Sequence, residues 1–233
     1  MAYLGIKAVL ERFQRSGSST FTVGDAAKAM HKSAAYASLV LSTNKKVKRL
    51  VKGLYYVRGT SPYELASNVV YPAYVSLSAA LQYYDLIDQN IIKYSVITTK
   101  RHKPVKFEGG EIEFITVDRT RLFGYTFRNN SYIALPEKMF TDCLYFGRPA
   151  FSQVEVSFAS ALENQQLDIT KLKDYAVRMN RKSLINKLGF LLELNNIKAD
   201  DMLGHTYRAG YVRVGKSADG VNKKWRVLYD RRK

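Results

Sequence analysis

Cysteine is nearly absent: Cys143 is the only one in the chain. A single thiol forms no internal disulfide, so the fold is held by a core and not by staples. Histidine is scarce too, with His31, His102 and His205 far apart and none at metal-ligand spacing. No apolar run nears the roughly 20 residues a membrane helix needs. Residues 1–10 lack the continuous apolar stretch and small-residue cleavage site of a secretory leader, so a cytoplasmic protein is expected. Glycine-rich phosphate loops of the P-loop or dinucleotide type are missing as well; Gly109-Gly110 fits a turn better. Close acid pairs are few, Glu111/Glu113 and Asp200-Asp201. A two-metal nucleotidyltransferase or nuclease uses carboxylates of that kind. Glu111 and Glu113 alternate with apolar residues, however, as on the wet face of a strand. The expectation is a protein without enzymatic activity, metal or cofactor.

Positive charge is abundant. The net charge is +17 over 233 residues, and 46% of them are hydrophobic, enough for a sizeable core. The excess lies at the two ends. Residues 1–60 hold eleven Lys and Arg against Glu11 and Asp25, and residues 201–233 hold nine against three acids. Residues 61–200 are almost balanced, with seventeen bases and fifteen acids. A basic terminal block points to a polyanion as partner.

The first sixty residues divide into short elements. Ile6, Val9, Leu10 and Phe13 recur at helical spacing. Ser16-Gly17-Ser18-Ser19 breaks that helix. After Phe21, Thr22 caps a second helix with Asp25 three residues on, and Ala26, Ala27 and Met30 give it a small packing face. His31 and Lys32 form a turn. Ser33 caps a third helix over 34–43, with Tyr36, Ala37, Val40 and Leu41 able to point inward. Two β-prone runs then flank Lys52-Gly53, a hairpin pattern. Helix, short strand, two helices and a basic hairpin make the order of a winged helix-turn-helix, which lays its third helix in the major groove and its wing along the backbone.

Lys45, Lys46, Lys48, Arg49, Lys52 and Arg58 cluster at the end of the third helix and along the wing. Flexible cations on a projecting element suit phosphate contacts. Base readout falls to Lys32, Ser33, Tyr36, Ser38, Ser42 and Thr43, with Tyr36 equally readable as core. No Arg, Asn or Gln precedes Asn44 in that helix, so bidentate base contacts are scarce. Modest specificity per half-site follows, helped by DNA shape or repeated half-sites. Winged helices also serve as protein-interaction modules.

Beyond residue 60 the pattern predicts a mixed α+β domain, 61–233. Ser61-Pro62-Tyr63-Glu64 starts a helix, and Ser76 opens another over 77–84. Strands follow at 94–99, at 106–107 and 111–117 around a turn, and at 124–127 and 131–135 around Arg128-Asn129-Asn130. Helices are expected at 136–145, 169–179 and 182–194. Two final strands, 211–214 and 225–229, flank a turn with Asp219-Gly220. Lys223, Lys224, Arg226, Arg231, Arg232 and Lys233 lie on or after the last strand. They read as a second nucleic-acid contact, a partner contact or a solvated sheet edge.

The order of these segments resembles the AbiEi family of antitoxins. The wing ending Lys52-Gly53-Leu54-Tyr55-Tyr56 is similar to that family's Gly-aromatic wing. Tyr74-Val75-Ser76-Leu77-Ser78-Ala79-Ala80-Leu81, Ile97-Thr98-Thr99-Lys100-Arg101, Leu135-Pro136-Glu137-Lys138-Met139 and Lys187-Leu188-Gly189-Phe190-Leu191-Leu192 match its later segments in order, as does the strand with Trp225. The resemblance spans about residues 5–230. It implies a winged helix that binds inverted repeats in its own promoter and represses the operon. It also implies neutralisation of a nucleotidyltransferase-like toxin in a type IV system, where stable toxin binding is not required. The alternative is a stand-alone DNA-binding regulator whose C-terminal domain senses a ligand or oligomerises. A toxin reading frame beside the gene separates the two.

Overall fold

The computed structural model describes residues 5–15, 17 and 19–231. Residues 1–4, Ser16, Ser18, Arg232 and Lys233 lie outside the described residues, and so do the readings placed on them: part of the stretch read as lacking leader features, part of the first helix breaker and the last two bases. The fold is mixed α and β. It comprises two compact units. The first holds the described residues up to 75 with 92–117 and 126–133, and the second holds 76–91, 118–125 and the described residues from 134 on.

The first unit opens with α1 (Ile6–Arg15), β1 (Thr20–Thr22), α2 (Val23–Met30), α3 (Ala34–Thr43), β2 (Val47–Val51) and β3 (Leu54–Val57). Each boundary has a local cause. Thr22 and Asp25 form a reciprocal capping box at the start of α2. His31 ends α2 in the left-handed region, at φ 52°. The Ser33 side chain then accepts from the Tyr36 backbone N–H at 3.2 Å and starts α3. Lys52 and Gly53 turn the hairpin, with Gly53 at φ 85°, where a Cβ is strained. β3 is the middle strand of a three-stranded antiparallel sheet in the order β1-β3-β2. Val9, Leu10, Phe21, Ala26, Ala27, Met30, Ala37 and Leu41 pack with Val47, Tyr55 and Val57 into one small core. Tyr36 is outside it, 38% exposed, which settles its two readings against core.

The same unit continues through α4 (Pro62–Asn68) and β4 (Ala73–Ser76). Ser61 makes no capping bond; Pro62 in the first turn, with φ fixed by its ring, starts the helix instead. Glu64 of α4 reaches back to β1, accepting from the backbone N–H of Ser19 at 2.7 Å and of Thr20 at 2.9 Å. A six-stranded sheet joins β4 to β5 (Lys93–Thr98), β6 (Val105–Phe107), β7 (Gly110–Thr116), β8 (Tyr125–Arg128) and β9 (Ser131–Ala134), in the order β6-β7-β5-β4-β9-β8. Both expected turns are present. Gly109 has φ 106°, and Asn129 and Asn130 have φ 48° and 57°, the pair of positive values that a tight hairpin needs.

The second unit contains α5 (Leu77–Tyr83), α6 (Pro136–Phe146), α7 (Phe151–Glu163), α8 (Ile169–Arg178) and α9 (Lys182–Leu194). A small sheet of β10 (Val212–Arg213), β11 (Gly220–Asn222) and β12 (Val227–Tyr229) follows. The sequence pattern predicts no α7. It also predicts two terminal strands where there are three: β11 occupies the expected Asp219-Gly220 turn, and Trp225 lies in the tight turn before β12. β12 is the middle strand, antiparallel to β11 and parallel to β10. Trp225 is fully buried against Gly189 of α9, where an added Cβ would lie 2.2 Å from its ring. Asn186, one turn earlier, binds the Tyr207 backbone at both N–H and C=O and the Trp225 carbonyl. The stripe of Leu184, Ile185, Leu188, Leu191 and Leu192 is core, as its spacing predicts.

Candidate nucleic-acid interface

In α3 the residues Ala37 and Leu41, one turn apart, form the seam buried in the core. An α-helix advances about 100° per residue, so the direction opposite that seam falls on residue 39. Leu39 is indeed 63% exposed. Ala35, Tyr36, Ser42 and Thr43 surround it on the exposed face, and Ser38 is half-buried at the flank. Sequence reasoning missed Leu39 and Ala35. The signal was available in the Ala37/Leu41 spacing, which fixes the outward direction without regard to residue type.

The polar candidates on this helix are partly spent. Ser33 is the cap. The Ser42 hydroxyl donates to the Leu39 carbonyl at 2.8 Å, and the Thr43 hydroxyl reaches the carbonyls of Leu39 and Val40 at 3.1 and 3.2 Å. Such back-bonding turns the donor hydrogen towards the helix and leaves only acceptor oxygen outside. The Lys32 ammonium stands 5.8 Å from the centre of the Tyr36 ring.

The cations flank this face. Asn44 accepts from the Lys46 backbone N–H at 2.9 Å, holding the turn into β2 with Lys45 and Lys46 exposed. In β2, Arg49 pairs with Tyr55 and Val51 with Leu54, so Leu50 is an extra residue in the ladder. This bulge buries Val47 and Leu50 and exposes Lys48 and Arg49 between them. Arg49 Nε donates to the Val51 carbonyl at 3.3 Å. Lys52 stands exposed at the tip beside Gly53. An open cleft of about 400 Å³, lined among others by Ser42, Asn44, Lys45, Lys48, Arg49 and Arg58, joins the end of α3 to the hairpin. Arg58 shares its charge with an acid from elsewhere in the chain, pairing with Glu108 at 3.6 Å. Residues 26–63 contain eight Lys and Arg and no acid at all.

Among the described residues, no group of three or more His, Cys, Asp or Glu could hold a metal ion. Burial pushes the Cys143 thiol well above its ordinary pKa, aided by the Asp142 charge. Three of the four paired acids make ion pairs: Glu113 with Lys93 at 2.9 Å, Asp200 with Lys224 at 2.9 Å and Asp201 with Lys173 at 2.9 Å. Among the C-terminal bases, Lys224 also binds Glu193 at 3.1 Å, and Arg226 donates to the Arg208 carbonyl. Two of that cluster therefore hold their own unit together. No helix among the described residues is long and apolar enough to cross a membrane. No protein-family model matches this chain, and no curated protein matches it.

Proposed function

We propose that the first sixty residues are a winged helix-turn-helix that binds double-stranded DNA, and that the chain represses its own promoter by occlusion. One observation carries this reading. Lys32 before α3, Lys45 and Lys46 after it, Lys48, Arg49 and Lys52 on the β2–β3 hairpin and Arg58 just beyond are all exposed, in a stretch of sequence without acids. Cations on a projecting hairpin suit phosphates on either side of a groove-bound helix. In this reading Lys48, Arg49 and Lys52 of the wing hold the backbone while α3 faces the bases, and the regulatory role falls to residues 61–233, which are shared between the two compact units.

The resemblance of segment order to the AbiEi antitoxins supports a second role: neutralising a nucleotidyltransferase-like toxin, with no requirement for a stable complex. The two roles are tested separately. Binding of the purified protein to its own upstream DNA and to a scrambled duplex, at two salt concentrations, tests the first. Preferential, salt-sensitive binding is expected; absence of binding overturns it in favour of a protein-interaction module. Co-expression with a nucleotidyltransferase-like toxin encoded beside this gene tests the second; absence of such a reading frame, or growth inhibition that persists, leaves a stand-alone regulator.

A further inference from the structure

The outward face of α3 has Leu39 at its centre with Tyr36, Ser42 and Thr43 around it, and cations stand only beyond the two ends of the helix. Leu39 projects directly away from the core, with the Ala35 methyl one turn before it. α3 contains no Arg, Lys, Asn, Gln, Asp or Glu. The hydroxyls of Ser42 and Thr43 are turned back onto the helix. A guanine needs a bidentate donor such as Arg or Lys, and an adenine needs Asn or Gln. The one base feature in the major groove that an apolar side chain recognises is the 5-methyl group of thymine.

From this we infer that α3 reads thymine methyl groups, with Leu39 as the principal contact, and that the site is A·T-rich where α3 enters the groove. The inference rests on the DNA-binding reading above and names the sequence class for it. Charge decides between DNA and a protein as occupant of this apolar face. Lys32 lies beyond one end and Lys45, Lys46, Lys48, Arg49 and Lys52 beyond the other, in a segment that contains no acid. An apolar strip between two cationic margins matches a groove floor of methyl groups between two phosphate strands. Leu39 is accordingly a specificity residue and not a source of bulk affinity for DNA.

The test uses full-length protein and the chain's own upstream DNA, amplified once with thymidine and once with deoxyuridine triphosphate. Uracil pairs as thymine does and lacks only the methyl group. The wild type should bind the thymine duplex more tightly by roughly fourfold for each methyl buried, the equivalent of about 0.8 kcal/mol per apolar carbon. Leu39→Ala should lose most of that ratio, its affinity for the thymine duplex falling by more than its affinity for the uracil duplex. Leu39 is exposed and alanine favours helix, so the variant folds, with circular dichroism as the check. Equal wild-type affinity for the two duplexes would overturn the inference. So would a thymine-to-uracil ratio undiminished in Leu39→Ala, because duplex shape and not this side chain would then carry the difference. Absence of salt-sensitive binding to both duplexes would instead overturn the winged-helix reading and this inference with it.

Discussion

Replacing Lys48, Arg49 and Lys52 together by alanine tests the wing quantitatively. Each phosphate neutralised contributes about 0.9 to the slope of log affinity against log salt. Removing all three cations should therefore flatten that slope by about 2.7. Between about 50 and 200 mM salt, each phosphate-bound cation is worth a factor of about 3.5 in the salt response, and three are worth about 40. The triple variant should thus bind far worse than wild type at low salt, with a deficit about 40-fold smaller at the high-salt end. The weakening should be similar on specific and scrambled duplexes, because phosphates carry no sequence. All three side chains are exposed, so the thermal midpoint should not move. Arg58 supplies an internal contrast. Its 3.6 Å pairing with Glu108 already offsets part of its charge, so Arg58→Ala should flatten the slope less than Lys48→Ala, and Glu108→Gln should strengthen binding. Fluorescence anisotropy across a salt series measures all of these. An unchanged slope in the triple variant would refute the wing as the phosphate-holding element; equal slopes for Arg58→Ala and Lys48→Ala would refute the screening by Glu108.

Three further predictions concern the scaffold. Burial raises the Glu64 pKa, and the hydrogen bonds from Ser19 and Thr20 only partly offset it. A carboxyl whose folded pKa is raised holds its proton more tightly in the native state, so its contribution is greatest below the unfolded pKa and is lost as pH rises through the folded one. Glu64→Gln keeps an acceptor for both N–H groups, so urea midpoints should stop falling over that window; a wild-type midpoint that rises there refutes the sign. Glu64→Ala leaves those donors without this acceptor and should cost about 1–3 kcal/mol. Gly189→Ala drives a methyl into the Trp225 ring and should cost about 3 kcal/mol, with a red shift in emission from this sole tryptophan. Lys138 and Asp142 form a fully buried ion pair, with the Ser76 hydroxyl donating to Asp142 at 2.9 Å. Lys138→Met should cost about 3–5 kcal/mol and the double change Lys138→Met with Asp142→Leu much less, a difference that a thermal double-mutant cycle reads directly.

What the sequence reveals here depends on how local each determinant is. Thr22 with Asp25, Ser33 with Tyr36, and the Lys52-Gly53 turn all act within three or four residues, and the elements they bound are legible to within a residue or two. α7 has no such signal. Ala150, before its first turn, makes no side-chain cap; two of its buried positions are the small residues Ser157 and Ala161; and Val156 is 68% exposed on the wrong side. Its helical stripe is real but of low contrast. The C-terminal strands fail for a different reason. Asp219 binds the Arg231 backbone N–H at 2.8 Å, across the sheet and not within a turn. The tight turn forms later, where the Asn222 side chain accepts from the Trp225 N–H at 2.9 Å and Arg226 takes φ 52°. Asp219 finds its partner twelve residues away, whereas the Asn222–Trp225 contact is local, and turn chemistry alone could not choose between Asp219-Gly220 and Asn222.

The candidate interface divides in the same way. Its cations are legible because a Lys or Arg is almost never fully buried without a partner, so residue type alone puts Lys45, Lys48 and Lys52 outside. Leu39 is hidden by the converse assumption, that apolar means core. Burial is a one-way rule: polar groups avoid the interior, whereas apolar side chains occur on both sides of the surface. In a helix as short as α3 the core needs only Ala37 and Leu41 as its seam, with Val40 beside it. A leucine left opposite that seam gains nothing from folding. Exposure alone does not mark such a leucine, since Ile92 and Val156 are more exposed still; what sets Leu39 apart is its place on a helix flanked by cations, and the thymine-to-uracil comparison tests whether that place is used.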